Sequence, residues 1–72
     1  MSERTLHAEV KRRVIGALSE GRWKHGQAIP SEQALARRFK VSVGTVRRAV
    51  AELVAENVLV RRQGSGTYVA SH

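Results

Sequence analysis

With 72 residues, the chain has room for one small domain and no more. It contains no cysteine, which excludes disulfide bonds and thiolate metal sites, and no segment approaches the roughly 20 consecutive apolar residues of a membrane-spanning helix. Thirteen lysines and arginines against six acidic residues leave a formal charge of +7, which on so small a domain favours contact with a polyanion.

The first predicted element is an amphipathic helix from about Leu6 to Leu18. Apolar residues recur there at helical spacing, with basic residues between them. We expect its buried stripe to consist of Leu6, Val10, Val14, Ile15 and Leu18. Gly21 ends the helix, because glycine readily takes the left-handed conformation that helix ends favour.

A second helix is predicted after Pro30. The hydroxyl of Ser31 can accept a hydrogen bond from a free N–H of the first turn, and Glu32 suits the positive end of the helix dipole. The apolar face of this helix is then formed by Leu35, Ala36 and Phe39.

A third helix, over about residues 43–56, follows a short break at Lys40 and Val41. Ser42 caps it in the same way, and its buried stripe is Val46, Ala49, Val50 and Leu53. About three residues join the second and third helices, which is the short link of a helix-turn-helix. Asn57 fits the left-handed position that follows the third helix.

The remaining residues, about 58–70, predict a β-hairpin. Val58–Arg62 and Thr67–Val69 are strand candidates, and the segment Gln63-Gly64-Ser65-Gly66 between them is a tight turn. Three helices followed by a two-stranded antiparallel wing give the order of a winged helix-turn-helix, a mainly α fold with a small β-hairpin. We therefore assign residues 1–72 to a single domain of this kind.

In a helix-turn-helix the third helix lies in the major groove of DNA. With the apolar stripe turned inward, its outward face carries Gly44, Arg47, Arg48 and Ala51. Arginine can bond guanine O6 and N7 in bidentate fashion, and Ser42 and Thr45 at the helix start are placed for phosphate oxygens. The alternative, that Arg47 and Arg48 are only solvated surface residues, is less favoured beside a basic hairpin.

The hairpin is the second predicted DNA contact. Arg61 and Arg62 lie on its first strand, and its tip, made of Gln63, Gly64, Ser65 and Gly66, lacks bulky side chains and can approach a minor groove. Because side chains alternate along a strand, only one of the two arginines is expected to face the duplex, and the sequence does not say which. The alternative is an ordinary hairpin that closes a small core.

These residues together resemble the GntR family of bacterial regulators. The resemblance runs from about Leu6 to Val69, and the matching pieces occur in the order and spacing of the family: Ile29-Pro30-Ser31-Glu32, Leu35-Ala36, Val41-Ser42, Thr45-Val46-Arg47, Leu53 and Gln63-Gly64-Ser65-Gly66-Thr67-Tyr68-Val69. It implies a DNA-binding domain that is followed by a larger domain for a metabolite and for dimerisation. We expect a homodimer on a palindromic operator for the full-length protein, whereas this domain alone can be monomeric.

Carried over residue by residue, the DNA contacts of the family fall on Gln33, Ser42, Val43, Gly44, Thr45, Arg47, Gln63 and Gly64. The position of Val43 usually carries arginine in the family, and the position of Gln33 often does. The position of Asn57 usually carries glycine. Valine can touch a thymine methyl group and glutamine can pair with adenine. The two replacements therefore predict an operator that depends less on guanine than is usual in the family.

Three other functions are less favoured by the sequence than DNA binding. An enzyme is disfavoured because His7, His25 and His72 are scattered and no acid–base or metal constellation is present, so neither a cofactor nor a metal is expected. An RNA-binding or nucleic-acid-coating module usually has exposed aromatic side chains, and we expect Trp23, Phe39 and Tyr68 to be buried. A protein-interaction module is disfavoured by the basic charge. The N-terminus lacks the apolar stretch of a signal peptide, which favours a cytoplasmic location.

Overall fold

The computed structural model describes residues 3–71, with side chains from residue 6 onward; residues 1, 2 and 72 of the predicted domain, and with them His72, lie outside this range. Three helices are followed by two strands, as predicted. The elements are α1 (Glu3–Ser19), α2 (Glu32–Phe39), α3 (Val43–Ala55), β1 (Leu59–Arg62) and β2 (Gly66–Val69).

The buried face of α1 differs in part from the predicted stripe. Val10 and Val14 are buried as expected, but Leu6 and Ile15 are 40% and 41% exposed, while His7 and Ala17 are buried. Ile15 follows Val14 by about 100° around the helix axis, which carries it off the face that packs on α3. Leu6 lies a full turn before Val10, close to the N-terminal end of α1.

The end of α1 is closed at Gly21, as predicted. Gly21 has a φ of +80° and its N–H donates to the carbonyl of Leu18 at 3.1 Å, while the N–H of Arg22 reaches back to the carbonyl of Ala17 at 2.9 Å. This pair of bonds is a Schellman motif, which satisfies carbonyls that the helix itself leaves unpaired. The chain then leaves α1 toward the loop that precedes α2.

The link between α2 and α3 consists of Lys40, Val41 and Ser42, the three residues expected of a helix-turn-helix. Lys40 takes a left-handed φ of 59°, and the N–H of Val41 donates to the carbonyl of Ala36 at 3.0 Å. These features end α2 and turn the chain within one residue. The cap at Ser42 then starts α3 in a new direction.

The wing is an antiparallel pair in which Leu59 lies opposite Val69 and Arg62 lies opposite Gly66. Asn57, just before it, has a φ of 65°, which confirms the left-handed position expected there. A third segment, which the sequence pattern did not predict, pairs with the outer edge of β2: Ala28 forms a bridge with Tyr68, and the N–H of Ile29 donates to the carbonyl of Thr67 at 2.9 Å. Strand β2 is therefore paired on both of its edges, by β1 on one side and by this segment on the other.

One apolar core joins all these elements. Its buried side chains come from α1, α2, α3 and both strands, and the largest fully buried ones are Leu35, Leu53, Leu59, Val10, Val14, Val46 and Val50. The predicted stripe of α3 is thereby confirmed. None of the helices in the described part of the chain is long and apolar enough to cross a membrane.

Candidate nucleic-acid interface

The start of α3 is built as the sequence predicted. Ser42 is extended, with φ −73° and ψ 156°, and its Oγ accepts a hydrogen bond from the N–H of Thr45 at 3.1 Å. With Val46, Val50 and Leu53 in the core, the opposite face of α3 is solvent-exposed and carries the four predicted outward residues, Gly44, Arg47, Arg48 and Ala51. The exposed face of α3 thus combines two cations with two small residues.

Thr45 does not lie on that exposed face. It is only 3% exposed, and its Oγ1 lies 2.9 Å from Ser42 Oγ. The side chain of Thr45 therefore turns toward the inner side of α3, and its hydroxyl is little exposed. Its position instead fixes the exposed Ser42 hydroxyl, and the neighbouring Val43 is half-buried against the core.

The N-terminal end of α2 lies beside α3. Ser31 caps it through a 3.1 Å bond from the N–H of Ala34, as predicted, and Gln33 is exposed on its first turn. Glu32, expected only to favour the helix dipole, also accepts from Arg47 Nε at 3.2 Å and from Arg61 Nη1 at 3.3 Å. The partners in these two contacts are 15 and 29 residues apart in the sequence, so no local sequence pattern predicts them.

The two arginines of the wing point to opposite faces of the hairpin. Arg61 shares the face of the buried Leu59 and Val69 and reaches Glu32, whereas the guanidinium of Arg62 lies 5.3 Å from the centre of the Tyr68 ring on the other face. Arg61 is therefore the wing arginine on the side of α2 and α3.

The tip of the wing is exposed throughout, from Gln63 to Gly66. The N–H of Ser65 closes the turn on the carbonyl of Arg62 at 3.0 Å, and Gly64 and Gly66 take φ values of +77° and +140°. Ser65 Oγ also contacts Tyr68 Oη. The tip is a narrow backbone ridge, joined to the stem through Tyr68.

The aromatic side chains were expected to be buried, and this is wrong in degree. Trp23, Phe39 and Tyr68 are each half-buried. Arginines cover part of two of these rings. The guanidinium of Arg13 lies 5.8 Å from the centre of the Phe39 ring, and that of Arg62 lies 5.3 Å from the centre of the Tyr68 ring. A ring already covered by a guanidinium offers less area for stacking a base than the platforms of single-strand binders do.

A polar network holds α3 against α1. Glu52 on α3 lies 2.9 Å from Nε2 of the buried His7 and accepts from Lys11 Nζ at 3.1 Å, and Lys11 also donates to Glu56 at 2.7 Å. The hydrogen bonds that Lys11 donates to Glu56 and Glu52 raise the pKa of Lys11, and the bond that Glu52 accepts from Lys11 lowers the pKa of Glu52. No combination of three or more His, Asp or Glu side chains within the described range could hold a metal ion.

The comparisons with known proteins agree with this architecture. The family model for bacterial regulatory proteins of the gntR family matches residues 6–69. The chain is 41% identical over 70 residues to a probable fructoselysine utilization operon transcriptional repressor of Escherichia coli K12, covering 97% of this chain and 29% of the relative. It is also 42% identical over 65 residues to a histidine utilization repressor of Pseudomonas putida, and this match covers 90% of this chain and 26% of the relative.

Among solved structures, AraR(DBD) in complex with operator ORE1 superposes with a TM-score of 0.86 at 37% identity, over 90% of this chain and 79% of that one. The complex of AraR(DBD) with operator ORX1 superposes with a TM-score of 0.85, over 90% of this chain and 78% of that one. The chain thus spans less than a third of the length of the curated relatives but most of the length of these DNA-bound domains.

Proposed function

The chain belongs to the GntR family of bacterial regulatory proteins, and from that premise we propose that it reads the sequence of double-stranded DNA for a transcriptional regulator. The relatives named above are repressors, so the family is one of regulators and not of enzymes. Operator complexes of AraR(DBD) at 37% identity support duplex DNA as the partner.

One observation carries the proposal. The Ser42 cap sets α3 so that Arg47 and Arg48 project from the side opposite the core, and Arg61 of the wing reaches the same carboxylate, Glu32, as Arg47 does. A helix and an adjacent hairpin that present cations together can contact the major groove and the neighbouring minor groove at once. The alternative, that Arg47 and Arg48 are only solvated surface residues, does not account for a wing arginine that reaches the same carboxylate.

The proposed roles follow the geometry of each residue. α3 enters the major groove, where Arg47 and Arg48 reach base edges and Gly44 permits close approach. Gln33 and Val43 face the same groove, and Ser42, oriented by Thr45, contacts a phosphate. The wing tip, from Gln63 to Gly66, follows the minor groove. Of the two wing arginines, Arg61 lies on the side of α2 and α3 and contacts a phosphate, whereas Arg62 lies on the opposite face, over Tyr68.

Val43 and Gln33 carry the hypothesis on specificity. Valine offers only apolar contact, which suits a thymine methyl group, and glutamine pairs with adenine better than with guanine. Because Val43 is half-buried, its side chain can contact only a base that lies directly against the start of α3. We propose an operator with less guanine at the positions these two residues meet.

The proposal for the whole regulator goes further than this chain. We propose that residues 1–72 act as the DNA-binding domain of a longer cytoplasmic protein, whose second domain binds a small molecule and brings two such heads onto a palindromic operator. The supporting observation is that the relatives extend far beyond the matched segment, which covers 29% of the fructoselysine repressor.

Selection from a random pool of duplex DNA at physiological salt tests the function. A short enriched motif is the expected result, and the base opposite Val43 tests the specificity hypothesis directly: a guanine there contradicts it. Survivors that share no motif but are released by added salt would contradict sequence reading and indicate general coating of nucleic acid. Equal binding of duplex RNA in a parallel pool would point the same way.

A further inference from the structure

One carboxylate joins the two DNA-facing elements of the fold. Glu32 Oε1 accepts from Arg47 Nε of α3 at 3.2 Å, and Glu32 Oε2 accepts from Arg61 Nη1 of β1 at 3.3 Å. The Glu32 side chain is 23% exposed, against 64% for Arg47 and 46% for Arg61. The acid is therefore the sheltered member of the cluster, and the two cations are its solvent-facing members.

The position of Glu32 is fixed by its neighbours in the chain. It is the first residue of α2, directly after the Ser31 cap, and α2 is anchored in the core by the buried Leu35 and Ala36. Arg47 and Arg61, in contrast, have long side chains with many rotamers in water. A fixed acceptor that binds one N–H of each limits both guanidinium groups to a narrow set of directions.

The contact also decides which donors of Arg47 stay available. A guanidinium has five N–H groups, and Glu32 takes the one on Nε. The four on the two terminal nitrogens remain for guanine O6 and N7, or for a phosphate. The same carboxylate repels any phosphate that approaches the pair, because like charges close together are destabilising.

We propose that Glu32 is a positioning residue for sequence discrimination: it aims Arg47 at base edges, couples that aim to the wing through Arg61, and penalises phosphate-only binding. The inference rests on the proposed function of DNA reading. On a matching site, base contacts of Arg47 offset the repulsion between Glu32 and the backbone. On other sequences nothing offsets it, so the penalty acts against the wrong partner.

The test compares wild type with Glu32→Gln, which keeps the shape and removes the charge. Affinities are measured for the selected duplex and for a scrambled duplex of equal length, over a series of salt concentrations. We expect tighter binding of the scrambled duplex, a salt slope there steeper by about one unit, and a fall of about tenfold in the ratio of the two affinities. An unchanged ratio, or an equal loss on both duplexes, overturns the proposal.

Glu20→Gln is the matched control. It makes the same change of charge, but Glu20 pairs with Arg22 at 3.1 Å, just beyond the end of α1. Any gain from lowered acidity should then be equal on both duplexes, with the ratio unchanged. A fall in the ratio for Glu20→Gln as large as that for Glu32→Gln would also overturn the proposal, since it would assign the effect to net charge.

A second measurement does not depend on the variant folding. In the wild-type chain the Nε–H of Arg47 should exchange with water more slowly than that of Arg48, its exposed neighbour on α3. Equal exchange rates would overturn the proposal that Glu32 positions Arg47. The outcomes also separate the two proposals. A wild-type chain without sequence preference overturns both, whereas a discriminating wild type with an equally discriminating Glu32→Gln overturns only the role of Glu32.

Discussion

At the scale of single residues, Arg47 has the clearest expected effect on recognition. It is exposed on α3, its backbone is fixed by the buried Val46 next to it, and its Nε is held by Glu32. Replacing Arg47 with alanine should cost about 1–3 kcal/mol of binding free energy on the best site and relax the base preference there. Titration of the selected duplex and of single-base variants measures both effects.

Arg38→Ala is a useful comparison for that experiment, because Arg38 is an exposed arginine near the C-terminal end of α2. Its loss should change the affinity for all sequences alike or not at all. If Arg47→Ala weakens every duplex by the same factor, Arg47 is a phosphate contact and the assignment to a base edge is wrong.

At the scale of elements, the network between α1 and α3 should make stability depend on pH. The pKa of Glu52 is lowered in the fold by the hydrogen bond from Lys11, so its contribution to stability is present above the ordinary carboxyl value of 4.5 and is lost as pH falls through the lowered pKa. The pKa of Lys11 is raised, so its contribution is present below 10.5 and is lost only at higher pH.

We therefore expect Glu52→Gln to lower the melting temperature at about pH 6, and this difference to shrink as the pH is brought down through the carboxyl range. Thermal unfolding of both proteins over a pH series measures it. Glu20→Gln, at a carboxylate outside the network, should show a smaller difference at neutral pH. A difference for Glu52→Gln that persists unchanged in acid would assign its effect to packing.

The elements also show what the sequence can and cannot predict. Caps, helix ends and the hairpin turn depend on a few adjacent residues, so Ser31, Ser42 and Gly21 were identified correctly. The bridge between Ala28 and Tyr68 joins distant segments without a strand pattern, so it was missed.

The candidate site divides in the same way. Helical periodicity alone predicts the exposed face of α3, including Arg47 and Arg48. The predicted phosphate contact of Thr45 depended on its place at the helix start, and that place does not reveal that the side chain is buried with its hydroxyl beside Ser42. Glu32 looked like an ordinary residue of a first turn, since its partners are distant in sequence.

At the scale of the whole molecule, size limits how two heads can share an operator. The Cα atoms extend over 35 × 27 × 21 Å, and one turn of DNA advances about 34–36 Å. Two copies can therefore lie side by side on one face of the duplex at successive major grooves without overlapping. A head alone must bind its half-site without the gain in effective concentration that a second head brings.

We expect two copies of this chain, fused by a flexible linker, to bind an inverted repeat about 100-fold or more tightly than one copy does. If the linker is just long enough to span adjacent half-sites, the gain should fall when about half a helical turn is inserted between them, because the second half-site then faces away and lies out of reach. Titration of the fused and single proteins on both duplexes measures the gain. Equal affinity of the two proteins for the inverted repeat would contradict the expectation.

The bridge between Ala28 and Tyr68 has one more consequence, for the behaviour of the protein at high concentration. An unpaired strand edge is a template for adding strands from other molecules, and here the outer edge of β2 is already occupied by the loop around Ala28. The opposite edge belongs to β1, which carries Arg61 and Arg62 in sequence. Two such edges brought together would place four positive charges in one ladder, so the basic wing also protects the fold against aggregation.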